Sequence, residues 1–169
     1  MPGAPRDRDY EAVARRVRAA VSAGSGREAR MRAVADAVWE ELHELGVSWV
    51  GFYVVDESAP ESERLVLGPR RDAPACSPIG LHGVCGAGYR TGEIQIVRDT
   101  NDLGPNYVAC DPRDRSEIVL PLFERRDGER RCWGVLDLDS WDVGAFDERD
   151  ARGLAAVLAA AGFETAPVE

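Results

Sequence analysis

Two apolar runs joined by a turn sequence constrain the fold of this chain more than any other feature. The runs cover residues 118–123 and 132–138, and Asp127-Gly128 lies between them. Asp-Gly readily adopts the backbone conformation of a tight hairpin turn, in which the chain reverses and pairs antiparallel with itself. The pattern therefore predicts a β-hairpin in the second half of the chain.

A further strand is predicted upstream, where residues 47–55 are mostly β-branched or aromatic. Side chains alternate along a strand, which predicts two faces: Trp49, Gly51 and Tyr53 on one, and Val50, Phe52 and Val54 on the other. We interpret the wholly apolar face as core. The other face has two amphipathic rings around a residue without a side chain, which predicts a hollow for a small apolar or sulfur-bearing group. Aromatic rings packed beneath a helix are the alternative interpretation.

Apolar residues at helical spacing predict two helices before these strands and one after them. We expect residues 1–8 to be a flexible start, 9–45 to be helical, 47–140 to form the sheet and its active-site loops, and 147–162 to form the C-terminal helix. Helices at both ends of 169 residues, with strands between them, fit a single α+β domain. Its central antiparallel sheet would be flanked by the N-terminal and C-terminal helices.

Shorter elements are predicted between the first strand and the hairpin. Residues 65–67 form a strand that Gly68-Pro69 ends, and residues 84–90 form a short helix that Gly92 caps. The connection over residues 70–83 has no periodic pattern, and long connections of this kind are usually functional or mobile.

Composition excludes several classes of function. The formal net charge is −9, whereas nucleic-acid binding relies on clustered basic residues. No apolar stretch approaches the ~20 residues of a membrane helix, and the first residues lack the apolar core of a secretory signal. We therefore expect a cytoplasmic protein that binds neither nucleic acid nor membrane, with cysteines that are not permanently paired. The sequence leaves the oligomeric state open, with a homodimer among the alternatives.

The four cysteines divide into two kinds by their surroundings. Cys76, Cys85 and Cys110 lie in segments punctuated by Gly, Pro or Asp, which usually form loops and helix starts where a thiol can meet substrate. Cys132 lies in an apolar run and is predicted to be a core residue. Cys85 falls at the start of a predicted helix, where the helix dipole favours its thiolate. The sequence thus predicts three working thiols.

The charges around Cys110 are mixed. Arg113 and Arg115 would favour its thiolate, whereas Asp111 and Asp114 would oppose it. The sequence leaves open which effect dominates.

Three other kinds of cysteine site fit the sequence less well than redox chemistry by several thiols. Structural zinc sites usually use close pairs such as Cys-x-x-Cys, and the cysteines here are all far apart. A thioredoxin-like centre in its usual form needs the same motif. A cysteine hydrolase needs a base beside its nucleophile, and His82, three residues before Cys85, is more simply interpreted as a solvated loop histidine.

Three carboxylates form a second candidate constellation. Asp137 and Asp139 share one face of their strand, and Glu117 begins the partner strand at the same end of the hairpin. A register with Glu117 opposite Asp139 clusters all three, whereas a slip of one residue separates them. Such a cluster in a partly closed site binds an ammonium group and raises the pKa of one member, which can then donate a proton. Strand-end carboxylates in water are the alternative interpretation.

Seven short motifs occur along the chain in an order and with spacings that resemble a known family. They are Trp49-Val-Gly-Phe-Tyr53, Leu67-Gly-Pro69, Ala75-Cys76, Gly83-Val-Cys85-Gly, Ala109-Cys110-Asp111, Ser116-Glu117-Ile-Val-Leu-Pro and Gly134-Val-Leu-Asp-Leu-Asp-Ser140. Together they resemble the free methionine-(R)-sulfoxide reductases, which are single GAF domains. The likeness covers residues 49–154. Two departures are Asn106-Tyr107-Val108, where Gly-His-Ile is more typical, and a Cys76-to-Cys85 stretch one residue shorter than in the family.

The resemblance implies a GAF-like fold that reduces free methionine-(R)-sulfoxide by thiol chemistry. Cys110 would attack the sulfoxide sulfur and become a sulfenic acid, Cys76 would resolve it as a disulfide, and Cys85 would assist recycling. No metal or organic cofactor would be required, and a thioredoxin-type protein would supply the electrons.

The resemblance also assigns the substrate-binding residues. The acidic residues would hold the ammonium group and protonate the sulfoxide oxygen: Glu117, Asp137 and Asp139. Trp49 and Tyr53 would wall the pocket for the methyl end. The alternative function is a GAF ligand-binding or redox-sensing module without turnover.

Overall fold

A computed structural model describes residues 6–105, residue 107 and residues 110–168. Within these ranges it contains four α-helices and a six-stranded antiparallel sheet. The helices are α1 (Tyr10–Ala20), α2 (Arg27–Leu42), α3 (Val84–Thr91) and α4 (Glu148–Ala160). The strands are β1 (Trp49–Val55), β2 (Leu65–Arg71), β3 (Gln95–Val97), β4 (Ser116–Arg126), β5 (Glu129–Ser140) and β6 (Glu164–Thr165). No helix in the described ranges is both long enough and apolar enough to cross a membrane.

The predicted hairpin is confirmed and forms the middle of the sheet. Asp127 and Gly128 have φ angles of 54° and 81°, as a tight turn between antiparallel strands requires. The strand order is β2-β1-β5-β4-β3, and β6 pairs with β4 as well. One irregularity interrupts the hairpin: Leu122 pairs with Gly134 but Phe123 pairs with Cys132, so Trp133 is an extra residue on β5.

The sheet separates two hydrophobic clusters, which confirms the predicted alternation along β1. Val50 and Phe52 pack in the larger cluster with the buried faces of α1, α2 and α4. Trp49 and Tyr53 belong to the smaller cluster on the opposite face, with Leu81 and the first turn of α3. The three large helices therefore supply the main core, and the second face is left to α3 and the loops.

Strand β2 continues past the point where the sequence predicted its end. It runs through Gly68 and Pro69 to Arg71. Gly68 and Pro69 together lie opposite the single residue Phe52 of β1, so β2 has one extra residue at this point. Because β2 is the edge of the sheet, the missing N–H of proline costs no hydrogen bond to a second neighbouring strand.

Arg8 was predicted to lie in a flexible start and is instead buried. Its guanidinium donates to Asp150 at 2.8 Å and to the carbonyl oxygens of Leu45 and Ala145. These contacts join the chain before α1 to the end of the 3₁₀ turn after α2 and to the first turn of α4. Residues 1–5 of the predicted start lie outside the described residues.

Candidate active site

A cavity of about 290 Å³ lies on the sheet face that α3 covers. Its floor is formed by β1, β4 and β5, and its rim by the first turn of α3 and by the two loops that carry Cys76 and Cys110. Every site residue proposed from the sequence lines this cavity: Trp49, Tyr53, Cys76, Cys85, Cys110, Glu117, Asp137 and Asp139. The structure therefore brings together residues spread over more than half of the chain.

The hairpin register gathers the three carboxylates on one face. Glu117 lies opposite Asp139, as the clustered alternative required, and Asp137 is two residues away on the same strand face. Glu117 and Asp137 are each only 5% exposed. The alternative of strand-end carboxylates in water is thereby excluded for these two residues.

Burial and mutual repulsion disfavour the fully ionised form of this cluster. Burial is the main cause that raises the pKa values of Glu117, Asp137 and Asp139, and for both aspartates repulsion by neighbouring carboxylates adds to it. No arginine among the described residues forms an ion pair with any of the three. The cluster can therefore retain a proton for donation, and it attracts a cation.

A disulfide joins Cys76 to Cys110 at the mouth of the cavity. The two Cα atoms are 5.7 Å apart, and both residues are exposed. The loop that carries Cys76 is held against β2, because Leu65 and Ile79 exchange backbone hydrogen bonds and Leu67 N donates to Ser77 Oγ at 3.0 Å. The predicted long connection is therefore anchored close to its thiol.

Trp49 and Tyr53 line the cavity and also hold the Cys76 loop. The Trp49 indole N–H donates to Ala73 O at 2.9 Å, and the Tyr53 hydroxyl donates to Cys76 O at 2.8 Å. The prediction of a hollow over Gly51 is wrong, because the Trp49 ring itself covers this glycine. A Cβ at Gly51 would lie 2.2 Å from Cη2 of Trp49.

The predicted ionisation of Cys85 is wrong in this conformation. Its side chain points into the interior from the first turn of α3 and is 5% exposed, and its thiol donates to Asp137 Oδ2 at 3.4 Å. Burial raises the pKa of Cys85 well above its ordinary value, and the nearby carboxylates raise it further. These effects outweigh a helix dipole from a helix of only eight residues.

Cys132 is not the core residue that its apolar surroundings predicted. It is half-buried beside the irregularity of the hairpin, and its thiol contacts Gly134 O at 3.3 Å. It lies outside the cavity, as expected for a thiol without a part in the chemistry.

The charges near Cys110 are largely paired with each other. Arg113 binds Asp111 through two guanidinium nitrogens and lies over the ring of Trp141, and Arg115 binds Asp99. Both arginines are therefore already paired with carboxylates in this conformation.

Several cavity residues were not proposed as site residues from the sequence, and two of them, Asp114 and Tyr107, act on the carboxylates. Asp114 is 8% exposed, and burial, with Asp111 and Glu117, raises its pKa to about 7. Tyr107 lies close enough to Glu117 for a hydrogen bond from its hydroxyl to lower the pKa of that carboxyl. Both residues precede β4 in irregular backbone. Strand or helix periodicity cannot predict there which way a side chain points. Asn106, Val108 and Ala109 lie outside the described residues.

Asp114→Asn is expected to remove part of the pH dependence of stability. Folded Asp114 keeps its proton up to about pH 7, whereas the unfolded carboxyl loses it near pH 4, so the free energy of unfolding falls as pH rises through this window. The variant should be more stable than wild type at pH 8 by about 2–4 kcal/mol and similar at pH 4. Urea denaturation across the range measures this. Parallel curves for the two proteins would contradict it, and Asp102→Asn, at an exposed carboxyl outside the cavity, is the control.

Comparison with known proteins identifies the class that this fold and site define. Residues 28–163 match the GAF domain family. The chain is 36% identical over 150 residues to Protein YtsP of Bacillus subtilis, covering 88% of this chain and 86% of that protein. The chain is therefore a member of the GAF domain family, and its fold is the GAF fold.

Two further relatives narrow the assignment within that family. The free methionine-R-sulfoxide reductase of Saccharomyces cerevisiae is 40% identical over 120 residues, which cover 69% of this chain and 63% of that protein. The X-ray structure of free methionine-R-sulfoxide reductase from Neisseria meningitidis in complex with its substrate is 37% identical, with a TM-score of 0.76 and coverage of 90% of this chain and 85% of that one. Among GAF domains, the chain belongs with the free methionine-R-sulfoxide reductases.

Proposed function

We propose that this protein reduces free methionine-(R)-sulfoxide to methionine by cysteine thiol chemistry. The observation that carries the proposal is the exposed Cys76–Cys110 disulfide beside a buried carboxylate cluster in one cavity. Cleavage of a sulfur–oxygen bond needs a thiol to accept the oxygen and an acid to protonate it. Both kinds of group line this cavity.

The proposed reaction has two steps on the protein. The Cys110 thiolate attacks the sulfoxide sulfur while a protonated carboxyl donates to the sulfoxide oxygen, and transfer of that oxygen to sulfur leaves methionine and a Cys110 sulfenic acid. The Cys76 thiol then attacks the sulfenic sulfur, water leaves, and the disulfide forms. The cycle closes when an external dithiol reduces this disulfide.

The acidic cluster selects a free amino acid in this proposal. The substrate ammonium supplies a positive charge to Glu117, Asp137 and Asp139. The amide nitrogen of a peptide-bound residue carries no charge and cannot do so. Trp49 and Tyr53 wall the region that receives the methyl end. Cys85 faces Asp137 as a protonated thiol, so the recycling role expected for it requires this contact to open.

A thioredoxin-type protein is the proposed electron donor. Both residues of the disulfide are exposed, so the thiolate of a protein dithiol can reach them. Such a cycle suits the cytoplasm, where thiol reductants return disulfides to dithiols.

Methionine formation from the free sulfoxide tests the proposal directly. The purified protein is mixed with free methionine-(R)-sulfoxide and either dithiothreitol or thioredoxin with its reductase, and methionine is counted. The S epimer and the R-sulfoxide within a blocked peptide serve as controls, and both should be poor substrates. Binding without methionine release would favour the sensing module instead.

Tyr53→Phe is expected to slow disulfide formation while leaving the first reduction intact. The phenyl ring keeps the wall of the cavity, but the hydrogen bond that holds Cys76 O is lost. At about 1 kcal/mol for such a bond, the rate of disulfide formation should fall about fivefold. Rapid quenching followed by thiol counting measures this rate, and methionine released before reductant is added should remain stoichiometric.

Tyr89→Phe is the matched control for this experiment. Tyr89 packs on the same side of the sheet, and its hydroxyl has no hydrogen-bond partner among the described residues. An equal slowing in both variants would show that the Tyr53 hydroxyl does not position the Cys76 loop.

A further inference from the structure

The floor of the cavity contains a second arrangement of side chains, one with the composition of a metal site. Among the residues that the structure describes, Cys85, Glu117 and Asp137 form one group whose possible ligand atoms all lie within 4.8 Å of one another. They come from three different elements, α3, β4 and β5, and each is only 5% exposed. Their closeness is therefore a property of the fold and of no local sequence motif.

An unpartnered oxygen indicates that this group lacks a ligand. Asp137 Oδ2 accepts from the Cys85 thiol, but among the described residues no N–H, O–H or S–H group donates to the buried Asp137 Oδ1, apart from a proton that the Asp137 and Glu117 carboxyls can share. A buried carboxylate oxygen left without a donor or cation is costly, and proteins rarely leave one in that state. A positively charged ligand at this position would supply the missing interaction.

The chemistry of the three donors restricts which cation fits best. A thiolate with two carboxylates matches a cation of intermediate softness, such as Zn²⁺ or Co²⁺, whereas Mg²⁺ and Ca²⁺ prefer oxygen ligands alone. Tetrahedral zinc with these donors places its ligand atoms roughly 3.5 Å apart, so side-chain shifts of about 1 Å suffice to close the group around an ion. A fourth position would remain open toward the cavity.

We propose that Cys85, Glu117 and Asp137 bind Zn²⁺ or a similar divalent ion, and that this ion excludes the substrate ammonium from the same carboxylates. Binding transfers no electrons: the Cys85 thiol, and any protonated carboxyl of the group, releases its proton to solvent as the metal bonds form. The exclusion of substrate rests on the proposed function, whereas the metal binding itself does not. Zinc is thus an inhibitor here and not a cofactor.

Co²⁺ titration of the oxidised protein tests the metal site. In that form Cys76 and Cys110 are joined, so only Cys85 and Cys132 are free to give a thiolate-to-cobalt charge-transfer band. The wild type and Cys132→Ser should both show the band, and Cys85→Ser should lose it. A band that survives in Cys85→Ser, or is lost in Cys132→Ser, would overturn the site, as would its absence in the wild type.

Carboxylate variants and competition complete the test. Asp137→Asn should raise the dissociation constant for Co²⁺ at least about tenfold, whereas Asp114→Asn, a buried carboxyl of the same cavity outside the group, should change it much less. Circular dichroism of each variant confirms that it is folded. Equal effects of the two substitutions would overturn the assignment of Asp137 as a ligand.

The exclusion of substrate is measured separately, on the same oxidised protein. Free methionine-(R)-sulfoxide should raise the apparent dissociation constant for Co²⁺ linearly with its concentration, as expected for competition at one site. Metal binding that is indifferent to the sulfoxide would overturn the exclusion. Failure of the reductase assay alone would leave the cobalt band unchanged, so the two proposals fail independently.

Discussion

Cys110→Ser should release no methionine from the free sulfoxide, even in a single turnover without reductant. Serine cannot accept the sulfoxide oxygen in the way that a thiolate does, because its hydroxyl is barely ionised and forms no sulfenic acid. Cys76→Ser keeps the attacking thiol and should therefore release about one equivalent of methionine before it stalls as the sulfenic acid. The measurement is methionine per protein before reductant is added, with mass spectrometry of the product.

This pair of variants is needed because a disulfide does not reveal which sulfur reacted first. Both thiols line the cavity and both are exposed, so the structure treats them alike. Cys132→Ser is the control, since this thiol lies outside the cavity, and it should give a full first turnover. If Cys76→Ser loses the stoichiometric release and Cys110→Ser keeps it, the two roles are reversed.

Asp137→Asn should lower kcat/KM for the free sulfoxide by about 100-fold. The substitution keeps the shape of the side chain but removes a carboxyl group that can ionise to pair with the ammonium, a hydrogen bond of about 1.5–3 kcal/mol. It also weakens the cluster as a proton donor. Steady-state kinetics measures the loss. The small activity on a blocked peptide sulfoxide should change much less, because that substrate has no ammonium to lose.

The same substitution should stabilise the folded protein at pH 8. The raised pKa of Asp137 means that the folded state keeps a proton which the unfolded state has already lost, so ionisation of this residue costs stability as pH rises above about 4. Asparagine cannot ionise and avoids that cost. Lower activity together with lower stability at pH 8 would show that Asp137 supports the fold instead of opposing it.

Local rules in the sequence are enough to explain the strand faces and the placement of the three carboxylates at one end of a hairpin. Alternation assigns Trp49 and Tyr53 to the face away from the main core, and a hairpin brings Glu117 to the same end of the sheet as Asp137 and Asp139, on the same face in one of two registers. Each of these inferences needs only neighbouring residues or one turn. The structure confirms the faces and selects the clustered register, which the sequence left open.

Properties that depend on packing between distant elements could not be predicted in this way. The burial of Cys85 depends on how α3 sits on the sheet, where Gly86 lies so close to Leu81 that a Cβ would be 2.2 Å from its carbonyl oxygen. The contact between Cys85 and Asp137 likewise joins residues 52 positions apart. The anchoring of the Cys76 loop by Tyr53 has no local pattern at all.

The extra residue at Trp133 determines whether the three carboxylates of this hairpin lie on the same face of the sheet. Pairing that simply continued from Arg126 and Glu129 beyond the turn would place Glu117 opposite Leu138, with its carboxyl on the opposite face from both aspartates. The bulge shifts the register of β5 against β4 by one residue. Trp133 holds the bulge in place by packing against Phe163 and beneath Arg27. Loss of the bulge with every residue retained would keep the sheet yet turn the Glu117 carboxyl away from the two aspartates. A change in the packing of Trp133 that let the bulge slip, with every catalytic side chain kept, is therefore a route by which such a domain could pass between chemistry and mere ligand binding during evolution.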